Sequence, residues 1–229
     1  MATDPRPDAA LEIRIATGTG TVTGLLHRPD NARCLLLLAH GAGAGIRHRF
    51  FASLVPLLGA RGIATLRYQF PYMEGGRRRP DPPATAQRTV RDAVAAAAEH
   101  AADLPLLAGG KSFGGRMTSQ AQAEDPLPGV RGLVFLGFPL HAAGKPERRR
   151  AEHLARVGIP MLFVQGTGDT LAFLDQLHPV VTALGPRATL TIIEGGDHSF
   201  AVPKSARRTP EDVLSEVADA VARFSGILR

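Results

Sequence analysis

One serine in this chain has a setting that would let it attack a carbonyl. Gly110-Lys111-Ser112-Phe113-Gly114 has the G-x-S-x-G spacing. The apolar run from Leu104 to Ala108 before it reads as a buried strand, and Phe113 to Glu124 after it reads as a helix. A strand, a tight turn and a helix in that order lift a serine hydroxyl to the end of a sheet. The turn crowds the backbone, so side chains two residues before and two after the serine would collide with neighbouring elements, which accounts for glycine at 110 and 114. A serine hydroxyl is a weak nucleophile near neutral pH. It needs an imidazole to take its proton and a carboxylate to hold that imidazole in one tautomer. Gly110-Lys111-Ser112 also resembles the end of a phosphate loop, G-x-x-x-x-G-K-[ST], but the first glycine of that pattern is here Pro105, which has no N–H to offer a phosphate.

The elements needed to hold such a turn are legible along the chain. Leu11 to Ala16 and Thr21 to His27 read as an opening strand pair joined by Gly18-Thr19-Gly20, a hairpin at a sheet edge. Apolar runs without alternation follow at Cys34 to Ala39, Ile63 to Leu66, Leu104 to Ala108, Val130 to Phe138, Met161 to Val164 and Leu190 to Ile193. Such runs mark strands buried on both faces, and the segments between them have helical stripes: Phe50, Phe51, Leu54, Val55 and Leu58 on one, Val90, Ala93, Val94, Ala97 and Ala101 on another. Glu147 to Val157 and Phe173 to Leu184 are the next two expected helices. A last helix starts with Thr209 as N-cap, Pro210 at the first position and Glu211 and Asp212 in the first turn, and turns Val213, Leu214, Val217, Val221 and Phe224 inward. Pro71 to Pro83 reads as irregular. The pattern predicts an α/β fold with a mostly parallel eight-stranded sheet and helices on both faces.

The 229 residues suffice for one such domain, and no composition break divides residues 1–229. Met1 to Ala10 is polar with no apolar core of a leader, and no apolar stretch is long enough to span a bilayer, so a cytoplasmic protein away from membranes is expected. Cys34, the single cysteine, reads as core filler. The net charge of +6 raises nucleic acid as a partner, yet no helix-turn-helix, zinc spacing or aromatic RNA-binding pattern accompanies it, and none is expected to bind. The excess is local: between Arg47 and Arg91 nine arginines stand against Glu74 and Asp81.

Eight strands in this order with an elbow after the fifth resemble the α/β-hydrolase fold. The resemblance implies a nucleophile, an acid after a late strand and a histidine after the last strand, in that order. Asp169 follows Met161 to Gly166, and His198 sits in Glu194-Gly195-Gly196-Asp197-His198-Ser199-Phe200, each just past the carboxyl end of its strand, where open α/β sheets place their sites. By that resemblance Ser112 is the nucleophile, His198 the base and then the acid, and Asp169 the orienting carboxylate; Asp197 and Asp175 are its rivals. The fold also implies two backbone donors for a developing oxyanion, Phe113 after the serine and Ala42 in the loop His40-Gly41-Ala42-Gly43, with His40 bracing that loop.

Over nearly its whole length the chain is similar to compact α/β-hydrolases of the dienelactone-hydrolase-like kind. More narrowly, Ala39 to Gly45, Phe70-Pro71-Tyr72 with Gly76-Arg77-Arg78, and Gly109 to Ser112 resemble a group of bacterial predicted hydrolases and eukaryotic relatives associated with chromatin complexes and testis expression. Dienelactone hydrolases proper use a cysteine nucleophile, so the serine here speaks against carrying over their substrate. Between Phe138 and Glu147 only Pro139 to Pro146 intervenes, too short for a lid, and His141 in it reads as a solvated loop histidine, with a substrate contact as the alternative. The expectation is a lidless serine carboxylesterase or thioesterase acting through an acyl-enzyme on a small acyl substrate, without metal or organic cofactor. Acyltransferases and peptidases share these residues. An interaction module that binds an acidic partner is the alternative. The loop Arg77-Arg78-Arg79, with Lys111, either draws an anionic substrate toward Ser112 or is solvated surface paired with Glu74 and Asp81.

Overall fold

The computed structural model describes residues 10–142, 144 and 150–228. The expected sheet is present among them. Strands β1 (Leu11–Thr17), β2 (Gly20–His27), β3 (Cys34–Ala39), β4 (Ile63–Tyr68), β5 (Leu106–Lys111), β6 (Val130–Leu136), β7 (Met161–Gly166) and β8 (Ala188–Ile193) form one sheet in the order β1-β2-β4-β3-β5-β6-β7-β8. β1 pairs with β2 and β2 with β4 in antiparallel fashion, and every later pairing is parallel.

The continuous apolar runs are divided between two cores by the pleat. On β3, Leu35, Leu37 and Ala39 enter one core while Cys34, Leu36 and Leu38 enter the other, and Met161/Phe163 and Leu162/Val164 split in the same way on β7. The first core is covered by α3 (Pro83–His100), α4 (Phe113–Glu124) and α5 (Leu174–Leu184); the second by α1 (Arg49–Ala60) and α6 (Pro210–Ile227). Thr209 caps α6 in a reciprocal box with Asp212, and the five inward residues expected on that helix are buried.

Two expectations change. Within Pro71 to Pro83 a single helical turn, α2 (Pro71–Glu74), opens on a proline whose fixed φ suits the first helical position. Of the helix expected over 147–157, residues 147–149 lie outside the described ones, and the rest is a 3₁₀ turn, Glu152–Arg156, because Gly158 and Pro160 stop the chain before β7. Among the described residues no lid domain covers the carboxyl edge of the sheet. The order reverses around β3: β4 lies on one side of it and β5 on the other, with α1 and α3 on opposite faces. The carboxyl ends of β3 and β5 therefore flank the crevice where open sheets leave room for a ligand.

Candidate active site

β5 runs three residues further than its apolar stretch suggested, through Gly109 and Gly110 to Lys111, because those glycine backbones pair with β3 on one side and β6 on the other. Ser112 follows at φ 50° and ψ −113°, a conformation that L residues adopt only under tight constraint. The constraint is steric. A Cβ on Gly110 would stand 2.3 Å from the Ala39 carbonyl oxygen, and one on Gly114 2.5 Å from the same atom. The end of β3 is thus wedged against both sides of the turn, and α4 starts at Phe113 directly from it.

The three separated residues meet there. His198 Nε2 is 2.8 Å from Ser112 Oγ, and His198 Nδ1 is 2.7 Å from Asp169 Oδ2. A carboxylate can only accept, so the imidazole proton lies on Nδ1 and the Nε2 lone pair faces the serine hydroxyl. Asp169 is fully buried, and its carboxylate is held by the Leu171 N–H at 2.8 Å and by Gln165 Nε2 at 2.5 Å. Gln165 in turn accepts the Phe138 N–H at 2.9 Å. The rival acids are placed elsewhere: Asp197 accepts the N–H groups of Ser199 and Ala201 and shapes the histidine loop, while Asp175 is an exposed first-turn residue of α5.

His40 sits under the loop after β3 and has no access to solvent. Its Nε2 accepts the Phe70 N–H at 3.0 Å, so Nδ1 carries the proton and donates to the Gly41 oxygen at 2.7 Å. Burial lowers its pKa to about 4, so the ring is neutral near pH 7. The Tyr72 hydroxyl donates to the Ala42 oxygen at 2.9 Å and approaches that of Gly41 at 3.3 Å. Anchoring the Gly41 carbonyl from behind turns the Ala42 N–H of the same trans peptide the other way. Phe113, as the first residue of α4, has an N–H without an intrahelical acceptor.

A cleft of about 440 Å³ lies over Ser112, lined also by Ala42, Phe113, Asp81, Arg116, His141 and Arg150. The expected cations are not among its walls. Arg77 is paired with Asp81 at 2.8 Å, and Lys111 is turned inward, its Nζ 2.5 Å from the His198 carbonyl oxygen and 5.6 Å from the centre of the Phe200 ring. Arg116 and Arg150 take that place. His141 is buried rather than solvated; it donates Nδ1–H to the Ala142 oxygen at 2.9 Å, and its Nε2 has no partner among the described residues. Gln165 and Tyr72 were also missed, although a glutamine in the apolar run Met161 to Val164-Gln165-Gly166 is the kind of residue that must be bonded if buried. Among the described residues no three His, Cys, Asp or Glu side chains cluster as a metal site, and no helix is long and apolar enough to cross a membrane.

Residues 32–226 match the family model of the alpha/beta hydrolase domain, and the chain belongs to that family. Two curated relatives from Mycobacterium tuberculosis, strains CDC 1551 / Oshkosh and ATCC 25618 / H37Rv, carry the name of a phosphoribosyl transferase; each is 31% identical over 211 residues, 88% of this chain and 44% of theirs. The chain therefore spans less than half the length of these relatives. Among solved structures, a dienelactone hydrolase from Anabaena variabilis superposes with a TM-score of 0.78 at 21% identity, covering 98% of this chain and 100% of that one. A lidless α/β serine hydrolase from Xanthomonas campestris gives 0.72 at 16% identity over 98% and 96% of the two chains. The esterase domain of a Rhodothermus marinus protein gives 0.70 at 14% over 94% and 97%.

Proposed function

We propose that the protein is a serine hydrolase that cleaves a small carboxylic ester or thioester through an acyl-enzyme. The observation that carries this is the continuous hydrogen-bonded line Ser112–His198–Asp169 at the carboxyl edge of the sheet. His198 Nε2 takes the hydroxyl proton as Ser112 Oγ attacks the carbonyl carbon. The charge that develops on the carbonyl oxygen is met by the N–H groups of Ala42 and Phe113. Collapse of the adduct breaks the bond to the leaving alcohol or thiol, which receives the proton from His198 and departs, leaving an ester on Ser112. Water repeats the sequence, giving its proton to Nε2, and the acid product leaves with Ser112 restored. Asp169 keeps the imidazole in register and stabilises it while it is charged. The names of the dienelactone hydrolase, serine hydrolase and esterase neighbours accord with this reading.

A fluorophosphonate probe followed by mass spectrometry of the digest tests it. The expected result is a single adduct on Ser112, with Ser112→Ala folded, unlabelled and slower on p-nitrophenyl acetate by on the order of 10⁶ in kcat. Turnover retained by Ser112→Ala would end the proposal.

A further inference from the structure

The cleft over Ser112 contains two guanidinium groups that pair with no carboxylate among the described residues. Arg116 lies one helical turn beyond the serine, its N–H bonded to the Ser112 carbonyl at 3.1 Å, and its guanidinium stands 5.8 Å from the centre of the Phe113 ring. Its Nε is buried without a hydrogen-bond partner among the described residues. Arg150 reaches the same cleft from the chain after β6 and is held by a 3.0 Å bond to the His141 carbonyl oxygen. Among the described residues neither arginine takes part in an ion pair. Asp81, the carboxylate that lines this cleft, is already used: one oxygen accepts the Tyr72 N–H at 2.8 Å and the other accepts from Arg77 at 2.8 Å.

Most other ion-paired arginines of this arginine-rich chain lie away from the cleft and have acids of their own, as in Arg61 with Asp219 and Arg91 with Asp125. Bringing two like charges together in a partly dehydrated site is unfavourable, and burial together with Arg150 lowers the Arg116 pKa to about 10. An anion placed between them would remove that cost and find a planar donor on each side.

We propose that Arg116 and Arg150 form an oxyanion-binding subsite beside Ser112, and that the ester or thioester cleaved there bears a carboxylate or phosphate group. This rests on Ser112 being the nucleophile. The subsite lies in the wall of the reaction cleft, so an anion bound in it shields the serine.

The test is the rate at which a neutral fluorophosphonate labels Ser112 in the presence of succinate, inorganic phosphate or neutral succinamide, at up to about 10 mM, above the usual range of KM, with ionic strength matched by sodium chloride. Succinate, phosphate or both should slow labelling of the wild type, and succinamide should not; the anion that protects identifies the group. Arg116→Met and Arg150→Met, each compared with its own labelling without anion, should raise the half-protecting concentration at least about tenfold, with Arg116→Lys between wild type and Arg116→Met. Arg150 lies outside α4 and is held by the His141 carbonyl, so a folding failure of the Arg116 variant leaves the comparison intact. Labelling that neither anion slows, or that succinamide slows equally, overturns the subsite. A wild-type serine that does not label at all would instead refute the hydrolase reading.

Discussion

The Lys111 ammonium donates to the main-chain oxygen of His198 at 2.5 Å, so the residue just before the candidate nucleophile holds the loop that carries the candidate base. The two residues are distant in sequence, and their bond ties the end of β5 to the turn after β8. Lys111 is buried, and desolvation lowers its pKa to about 8, against the attraction of Asp169 and Asp197.

That lowering has a definite sign. Between about pH 8 and the ordinary lysine range the unfolded chain binds a proton that the folded protein has released, so this group makes stability rise with pH over that window. Urea unfolding of wild type and Lys111→Met at several pH values should show a more positive slope for wild type above pH 8. Catalysis should move oppositely: neutralising Lys111 weakens its bond to the His198 loop, and kcat should decline through the same window in wild type. Equal slopes for the two proteins would show that Lys111 does not titrate there.

Gln165 bridges the Phe138 N–H and the Asp169 carboxylate. Gln165→Leu strands a buried donor and removes one of the bonds that aim Asp169, so stability should fall by about 1–3 kcal/mol. The kcat on short esters should fall roughly tenfold, equivalent to about 1.4 kcal/mol, with KM little changed. A rise in KM with kcat intact would assign Gln165 to the shape of the cleft instead.

Tyr72 fixes the loop that presents Ala42. Tyr72→Phe keeps the ring between Phe70 and Phe113 but releases the Ala42 carbonyl. The expected consequence is a loss of about tenfold in kcat, smaller than the 10²–10³ typical of removing an oxyanion donor itself, because His40 still holds Gly41. Steady-state kinetics on p-nitrophenyl acetate decides this, and an unaltered kcat would mean that the loop needs no such brace.

A cleft of about 440 Å³, with no lid over it among the described residues, suits short acyl chains. Activity on p-nitrophenyl esters should decrease from acetate and butyrate to longer chains, with no jump when the substrate forms micelles. Strong interfacial activation would reveal a cover formed by some other segment.

The sequence by itself determined the order and type of the main elements, since burial on both sheet faces demands unbroken apolar strands and one-sided helices, and both patterns are local. It also marked the turn at Ser112, because a strained turn between strand and helix excludes side chains at 110 and 114 and so writes itself as glycines. Charge near the site was not legible in this way. The run Arg77 to Arg79 is conspicuous in the chain, yet Arg77 is neutralised by Asp81 four residues on, a pairing that depends on how α2 ends. Arg116 and Arg150 are unremarkable in the sequence, and they share a cleft because α4 starts at the elbow and Pro139, His141, Ala142 and Arg150 border it. Lys111 looks like a phosphate-loop lysine, and only the turn after β8 places a carbonyl above it. Which charges meet acids, and which remain open beside the serine, is decided by long-range packing, because an ion pair depends on distance in space and a sequence records only distance along the chain.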